Sequence, residues 1–183
     1  MSDAAIRAML PLAATEGWTW STIRAGMAAA GEDPALAASV FPGGPSQAIA
    51  AWGELANRDM LAGAGDLGAL RVPARIRRLV EVRLTQAAPH KAAVRAALSH
   101  LALPWNLGLG LRFSAGTADA MWRGAGDRSA DFSWYTRRLS LGAIYAATLA
   151  WWLRDDSPEV APALAFLDRR LSDLARLQRP KKA

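Results

Sequence analysis

Apolar residues recur three or four positions apart along most of this chain, which is the spacing of amphipathic helices rather than of strands. Alanine and leucine are abundant and runs of β-branched residues are few, which also favours helix. The pattern predicts an all-α protein. The helices are expected at about residues 2–15, 20–30, 33–40, 46–61, 73–87, 89–103, 107–122, 131–154 and 158–174.

The order of the first helices predicts a separate N-terminal module. A short helix, a turn, two further short helices, the stop at 41–44 (Phe-Pro-Gly-Gly) and a long helix form the opening order of TetR-type regulators. We therefore predict a helix-turn-helix-like module at 1–62, a linker at 63–72 and a C-terminal bundle at 73–183. Homodimerisation is expected through the last two helices, whose aromatic surface exceeds what one chain easily covers.

The linker contains a literal GxGxxG, formed by Gly63, Gly65 and Gly68. A dinucleotide site needs this motif directly after a β-strand and at the start of a helix. Here a helix is predicted before the motif, with no strand pattern nearby. The flexible-linker interpretation is favoured, and no cofactor is expected.

Charge is distributed unevenly along the chain. Residues 1–70 have a balance of −4, residues 71–95 of +6 and residues 96–183 of +4. The predicted recognition helix, Glu32 to Val40, has two acids and no basic residue, and Arg24 is the basic group near it. Since DNA phosphates require Lys and Arg, we expect no specific nucleic-acid binding. The basic segment at 71–95 is either a solvated helix face or a contact for phosphate, lipid headgroups or an acidic partner.

Catalytic chemistry has little support in the sequence. His90 and His100 are the two histidines, they have no acid–base pattern around them, and cysteine is absent. No GxSxG, Walker loop or metal-ligand cluster is present, so the protein is not expected to be an enzyme.

The start of the chain lacks the features of a secretory signal, and the longest apolar run, 139–153, is shorter than the ~20 residues of a membrane span. The expected location is the cytoplasm, with peripheral contact at the inner membrane left open.

The segment from Met121 to Arg138 is the most informative part of the chain, because it groups large aromatics and charges around a glycine-bearing turn. Trp134 and Tyr135 are adjacent on a predicted helix, where neighbouring side chains point about 100° apart. They cannot easily both enter one core. At least one should face a ligand, a partner or a second subunit.

This segment resembles the signature Ala-Gly-Asp-x-Ser-Thr-Asp-Phe-Asn-Trp-Tyr-Thr-Lys/Arg-Arg of a family of accessory proteins of ubiquinone biosynthesis, the ninth-numbered component of that pathway. The resemblance continues to Arg170. Two residues depart from the signature: Ala130 replaces Thr and Ser133 replaces Asn. The resemblance implies a TetR-like helical bundle with a vestigial helix-turn-helix module that has lost DNA recognition.

The function implied by the resemblance is non-catalytic: the protein would bind an isoprenoid or phospholipid ligand and present polyprenylated quinone intermediates to a di-iron ring hydroxylase. The implied hydroxylase-binding residues are Met121, Asp131, Trp134 and Tyr135. The alternative for that surface is that Asp131 only caps a helix and Trp134 belongs to the core. The alternative for the whole protein is a TetR-type ligand-sensing transcriptional regulator.

Small residues (Gly142, Ala143, Ala146, Ala147 and Ala150) lie among aromatics in the long helix before Arg154. They permit either tight helix packing or a cavity, and the resemblance favours an apolar pocket. The expected lipid-binding residues are Leu141, Ile144, Tyr145, Ala146, Leu149 and Trp152.

The family's eukaryotic members have a further amphipathic helix, whereas here only Leu171 to Ala183 follow Arg170. Membrane contact is therefore expected to be weak, electrostatic and sensitive to salt.

Overall fold

The computed structural model describes residues 2–126, 132–157 and 159–177, with backbone alone at 132–137 and 177. Over these ranges the protein is helical and has no β-strand, which confirms the all-α prediction. The α-helices are α1 Asp3–Glu16, α2 Trp20–Ala29, α3 Ala37–Val40, α4 Gly44–Gly63, α5 Val72–Ala87, α6 Lys91–Leu101, α7 Leu107–Gly124, α8 Phe132–Arg154 and α9 Ala161–Leu177. Short 3₁₀ turns occupy Pro34–Leu36, Ala88–His90 and Pro104–Asn106.

Side-chain caps and left-handed glycines set the first helix boundaries. The hydroxyl of Thr19 accepts a hydrogen bond from the Thr22 amide at 3.1 Å, so Thr19 caps α2. Gly17 and Gly31 have φ angles of 72° and 76°. Such angles favour glycine, and these two residues end the first two helices.

The start of α9 differs from the prediction. The sequence Ser157-Pro158-Glu159 suggested a helix start there, but α9 begins at Ala161. The Ser157 hydroxyl lies 2.5 Å from Asp155 Oδ2. Ser157 therefore belongs to the turn after α8 and does not cap the next helix.

The described residues form two compact units. The first comprises the chain up to Asp59 together with Ala87–Phe113. In its core, the Trp18 indole stacks on Trp52 at 5.4 Å and donates a hydrogen bond to the Ala93 carbonyl at 3.1 Å. The buried residues that complete this core include Ala5, Met9, Leu10, Ile23, Met27, Phe41, Ile49, Ala97 and Leu101.

The second unit comprises Met60–Gln86 together with the residues from Ser114 onward. Within it α8 packs along α9. This division does not coincide with the predicted boundaries at 62 and 73. The difference arises because α6 and the first half of α7 return to the N-terminal unit, where contacts such as Trp18 with Ala93 hold them. The glycine-rich segment after α4 is a non-helical connection preceded by a helix.

Candidate functional site

One side of α8 faces the interior of the second unit. Leu141, Tyr145, Leu149 and Trp152 are buried on it at helical spacing. Ile144 is half-buried beside them. Five of the six residues expected to bind lipid therefore lie on or next to the inward side, and their role in binding a ligand stays a prediction.

Ala146 is the exception, because it is exposed. It follows Tyr145 by one residue, so its side chain points about 100° away from the buried side of the helix. Ala143, Ala147 and Ala150 are exposed with it, as is Leu139. The expectation that Ala146 lines an internal cavity is therefore wrong for the single chain, and a larger side chain there would project outward.

Gly142 lies where α8 runs close to α7. A Cβ atom at this position would lie 3.6 Å from Ser114 Oγ and 3.7 Å from Ala118 Cβ, both on α7. These are ordinary van der Waals distances, so an alanine would fit here and would fill the space beside α7.

An ion pair joins α7 to the beginning of α8. Arg138 Nε donates to Asp119 Oδ1 at 2.7 Å, and the Arg138 side chain is buried. The other oxygen of Asp119 lies 3.0 Å from Nε of Arg123, whose side chain is exposed. The signature segment is therefore bounded at its C-terminal end by a buried charge contact, which sequence analysis missed because the partner lies 19 residues away.

The four residues expected to bind the hydroxylase do not behave as one exposed group. Met121 is completely buried in the second unit. Its side chain supports the core and cannot be part of an exposed patch, so that part of the prediction is wrong. Asp131 lies outside the described residues. Trp134 and Tyr135 are placed by backbone alone, in the first turn of α8.

Three buried side-chain atoms of the second unit have no hydrogen-bond partner among the described residues: Arg83 Nη1, Thr117 Oγ1 and Nη1 of Arg138, whose Nε pairs with Asp119. Arg83 is only 7% exposed and Thr117 only 1%. Leaving a buried donor unpaired costs about 1–3 kcal/mol, and more for a charged group. In the sequence, Arg83 belongs to the basic segment at 71–95, predicted to be either a solvated helix face or a contact surface, and no local pattern indicates that it is buried.

The position of Arg83 follows from how α5 lies beside α7. Arg75 Nη1 donates to the Ala125 carbonyl at 3.0 Å, and a Cβ atom at Gly124 would meet the Leu79 side chain. Arg83 is two turns beyond Arg75, and Thr117 is two turns before Ala125. Arg83 and Thr117 therefore lie on the two helices that these contacts join.

Glu32 and Asp33 of the helix-turn-helix-like module accept hydrogen bonds from other residues of the same module. Glu32 Oε1 accepts from the amide and hydroxyl of Ser2, at 2.7 and 2.6 Å. These bonds, the hydroxyl first, lower the pKa of Glu32. Asp33 accepts from the Ala35 amide at 2.9 Å. The helix expected at 33–40 is a 3₁₀ turn followed by the four residues of α3, a short element for reading a DNA groove.

The described residues contain no group of three His, Asp or Glu side chains arranged to hold a metal ion. None of their helices is both long and apolar enough to span a bilayer.

Comparison with known proteins decides the family. A sequence model of the COQ9 family matches residues 107–178, which include α7, α8 and α9. The mitochondrial ubiquinone biosynthesis protein COQ9 of Bos taurus is 33% identical over 177 residues, covering 92% of this chain and 55% of its own. The Homo sapiens protein of the same name is 41% identical over 98 residues, covering 54% and 31%. The chain belongs to the COQ9 family.

This COQ9 family member spans about half or less of the length of these curated relatives. Its fold is that of TetR regulators: a TetR transcriptional regulator from Nitrosomonas europaea superposes with a TM-score of 0.72, covering 95% of this chain and 97% of that one. The two sequences are 23% identical, so this likeness concerns the fold alone.

Proposed function

We propose that this COQ9 family member is a non-catalytic accessory protein of ubiquinone biosynthesis that binds polyprenylated quinone intermediates and presents them to a ring hydroxylase. The pathway comes from the name of its relatives. The observation that supports the ligand is the pair of buried, unpartnered polar atoms on Arg83 and Thr117.

A polyprenylated quinone matches these groups chemically. Its chain is apolar, and its ring oxygens accept hydrogen bonds. The chain would pack against the inward side of α8, beside Tyr145 and Trp152, while a ring oxygen accepts from Arg83 Nη1 and from the Thr117 hydroxyl. Ligand pockets commonly combine an apolar lining with a few polar groups of this kind.

Presentation to the hydroxylase would use the start of α8. Trp134 and Tyr135 are in the first turn of α8, within four residues of Arg138, the ion-pair partner of Asp119, and within seven residues of Leu141, where the buried stripe begins. Large aromatics of this kind concentrate binding energy at interfaces. Met121 would support this surface from the core instead of touching the partner.

The substitution Arg83→Met tests the ligand assignment. It keeps an unbranched side chain as long as the arginine stem and removes the guanidinium, and Arg78→Met on the same helix is the control because Arg78 is exposed and pairs with Glu81. We expect R83M to recover several-fold less added ubiquinone in native mass spectrometry. Its melting temperature should stay the same or rise, because an unpaired buried charge is removed. Equal recovery by R83M and R78M would contradict the assignment.

A further inference from the structure

The outward face at the start of α7 is apolar, whereas surface helices normally expose polar residues. Trp105 is 77% exposed, Leu107 53% and Leu111 73%. Pro104, directly before Trp105, and Gly108, directly after Leu107, are exposed as well. These five residues, all in the first unit, form what we call the tip surface.

The tip surface is held in place by hydrogen bonds behind it. The Asn106 side-chain amide donates to the His100 carbonyl at 2.9 Å, and the Asn106 backbone amide donates to the Leu103 carbonyl at 2.8 Å. His100 Nε2 lies 2.9 Å from the Ser46 hydroxyl of α4. On the inward side of α7, Leu109 and Phe113 pack on the core of the first unit. The fold therefore fixes Trp105 in an outward position.

The charged residue next to the tip surface in the sequence is basic. No Asp or Glu occurs between Pro104 and Leu111, and Arg112, which follows directly, is exposed. An exposed tryptophan and exposed leucines beside an exposed arginine match the interfacial region of an anionic bilayer, where indole rings and apolar side chains partition and lipid phosphates attract arginine.

We propose that the tip surface docks on a lipid bilayer that contains anionic lipid. Trp105, Leu107 and Leu111 enter the headgroup region, and Arg112 lies against the lipid phosphates. This proposal goes beyond the proposed function and shares no residue with it, since Arg83 and Thr117 belong to the other unit. Membrane contact was expected to be electrostatic and sensitive to salt. Docking through the tip surface differs from that expectation, because the insertion of apolar side chains persists at high salt.

Vesicle flotation of the full chain tests the proposal. The vesicles are phosphatidylcholine alone or with phosphatidylglycerol, each at low and high salt. The variants are Trp105→Ser with Leu111→Ser, Arg112→Gln, and Leu36→Ser as the control, because Leu36 is also an exposed leucine of the first unit. The double variant should lower the vesicle-bound fraction at least about tenfold. R112Q should lower binding only to the anionic vesicles, and L36S should match the native chain.

Three kinds of result would overturn the proposal. The first is a result in which the substitutions at Trp105 and Leu111 have no specific effect: flotation of the double variant at the native level, or an equal loss in L36S. The second is no flotation of the native chain, or flotation that high salt abolishes completely, because insertion of apolar side chains would then be absent. The third is a change from dimer to monomer in the double variant, measured by light scattering, because the tip surface would then be a contact between two copies of the chain.

Discussion

Arg138 donates to Asp119 at 2.7 Å and thereby joins the beginning of α8 to α7. The side chain of Arg138 is 9% exposed, whereas that of Arg123, the other partner of Asp119, is 68% exposed. Removing one member of a buried pair leaves an uncompensated charge, which costs about 3–5 kcal/mol, while an exposed pair contributes about 0–1 kcal/mol. The carboxylate of Asp119 therefore makes two ion pairs that contribute very differently to the free energy of unfolding.

The first prediction concerns this pair. Asp119→Ala should lower the free energy of unfolding by about 3 kcal/mol, and Arg123→Ala by less than about 1 kcal/mol. Urea denaturation followed by circular dichroism measures both. Similar losses in the two variants would mean that the buried contact with Arg138 is not the dominant one.

The second prediction compares two glycines in helices. A Cβ atom at Gly53 would overlap the ring of Phe113, whereas a Cβ atom at Gly108 meets nothing within 4 Å. Gly53→Ala should destabilise the protein by about 1–3 kcal/mol, since the ring must move. Gly108→Ala should stabilise it by about 0.5–1 kcal/mol through helix propensity. Thermal denaturation that shows the same sign for both variants would refute the packing of Phe113 on Gly53.

The third prediction concerns pH. Partial burial, and then the nearby charge of Arg7, lower the pKa of His90. The folded protein therefore holds His90 neutral while the unfolded chain binds a proton near pH 6.5. Its contribution to stability is fully present above that pH and is lost as the pH falls toward the lowered pKa. His90→Gln should flatten the fall in unfolding free energy below about pH 6.5, and an unchanged slope would exclude His90 as its source.

The fourth prediction separates two residues that the family resemblance places on one surface. Met121→Ala should cost about 2–5 kcal/mol of stability, because Met121 is completely buried. Trp134→Lys should leave the melting temperature nearly unchanged and abolish pull-down of the hydroxylase, as expected for an interface anchor. A collapsed melting temperature in W134K, or intact pull-down, would remove Trp134 from the partner surface.

Local chemistry made much of the fold predictable. Several features depend only on residues that are close together in the sequence. They are the cap at Thr19, the end of α2 at Gly31 and the helical spacing of Leu141, Tyr145 and Trp152. The same helical periodicity also predicts that Ala146 points outward, because Tyr145 points inward and adjacent residues cannot share a helix face. The family resemblance had favoured a pocket there instead.

Burial and long-range pairing were not predictable in this way. Arg83 lies in a basic segment that resembles a solvated face, and its burial depends on how α5 packs beside α7. The return of α6 to the first unit depends on contacts such as Trp18 with Ala93, 75 residues apart. No local pattern encodes either feature.

Native mass spectrometry of the purified native chain, with organic extraction of the same sample, tests the central proposal most directly. We expect an isoprenoid quinone or quinone precursor bound to the folded protein, recovered equally with R78M and several-fold less with R83M. A native chain that carries no isoprenoid lipid, even after ubiquinone is added, would contradict the account.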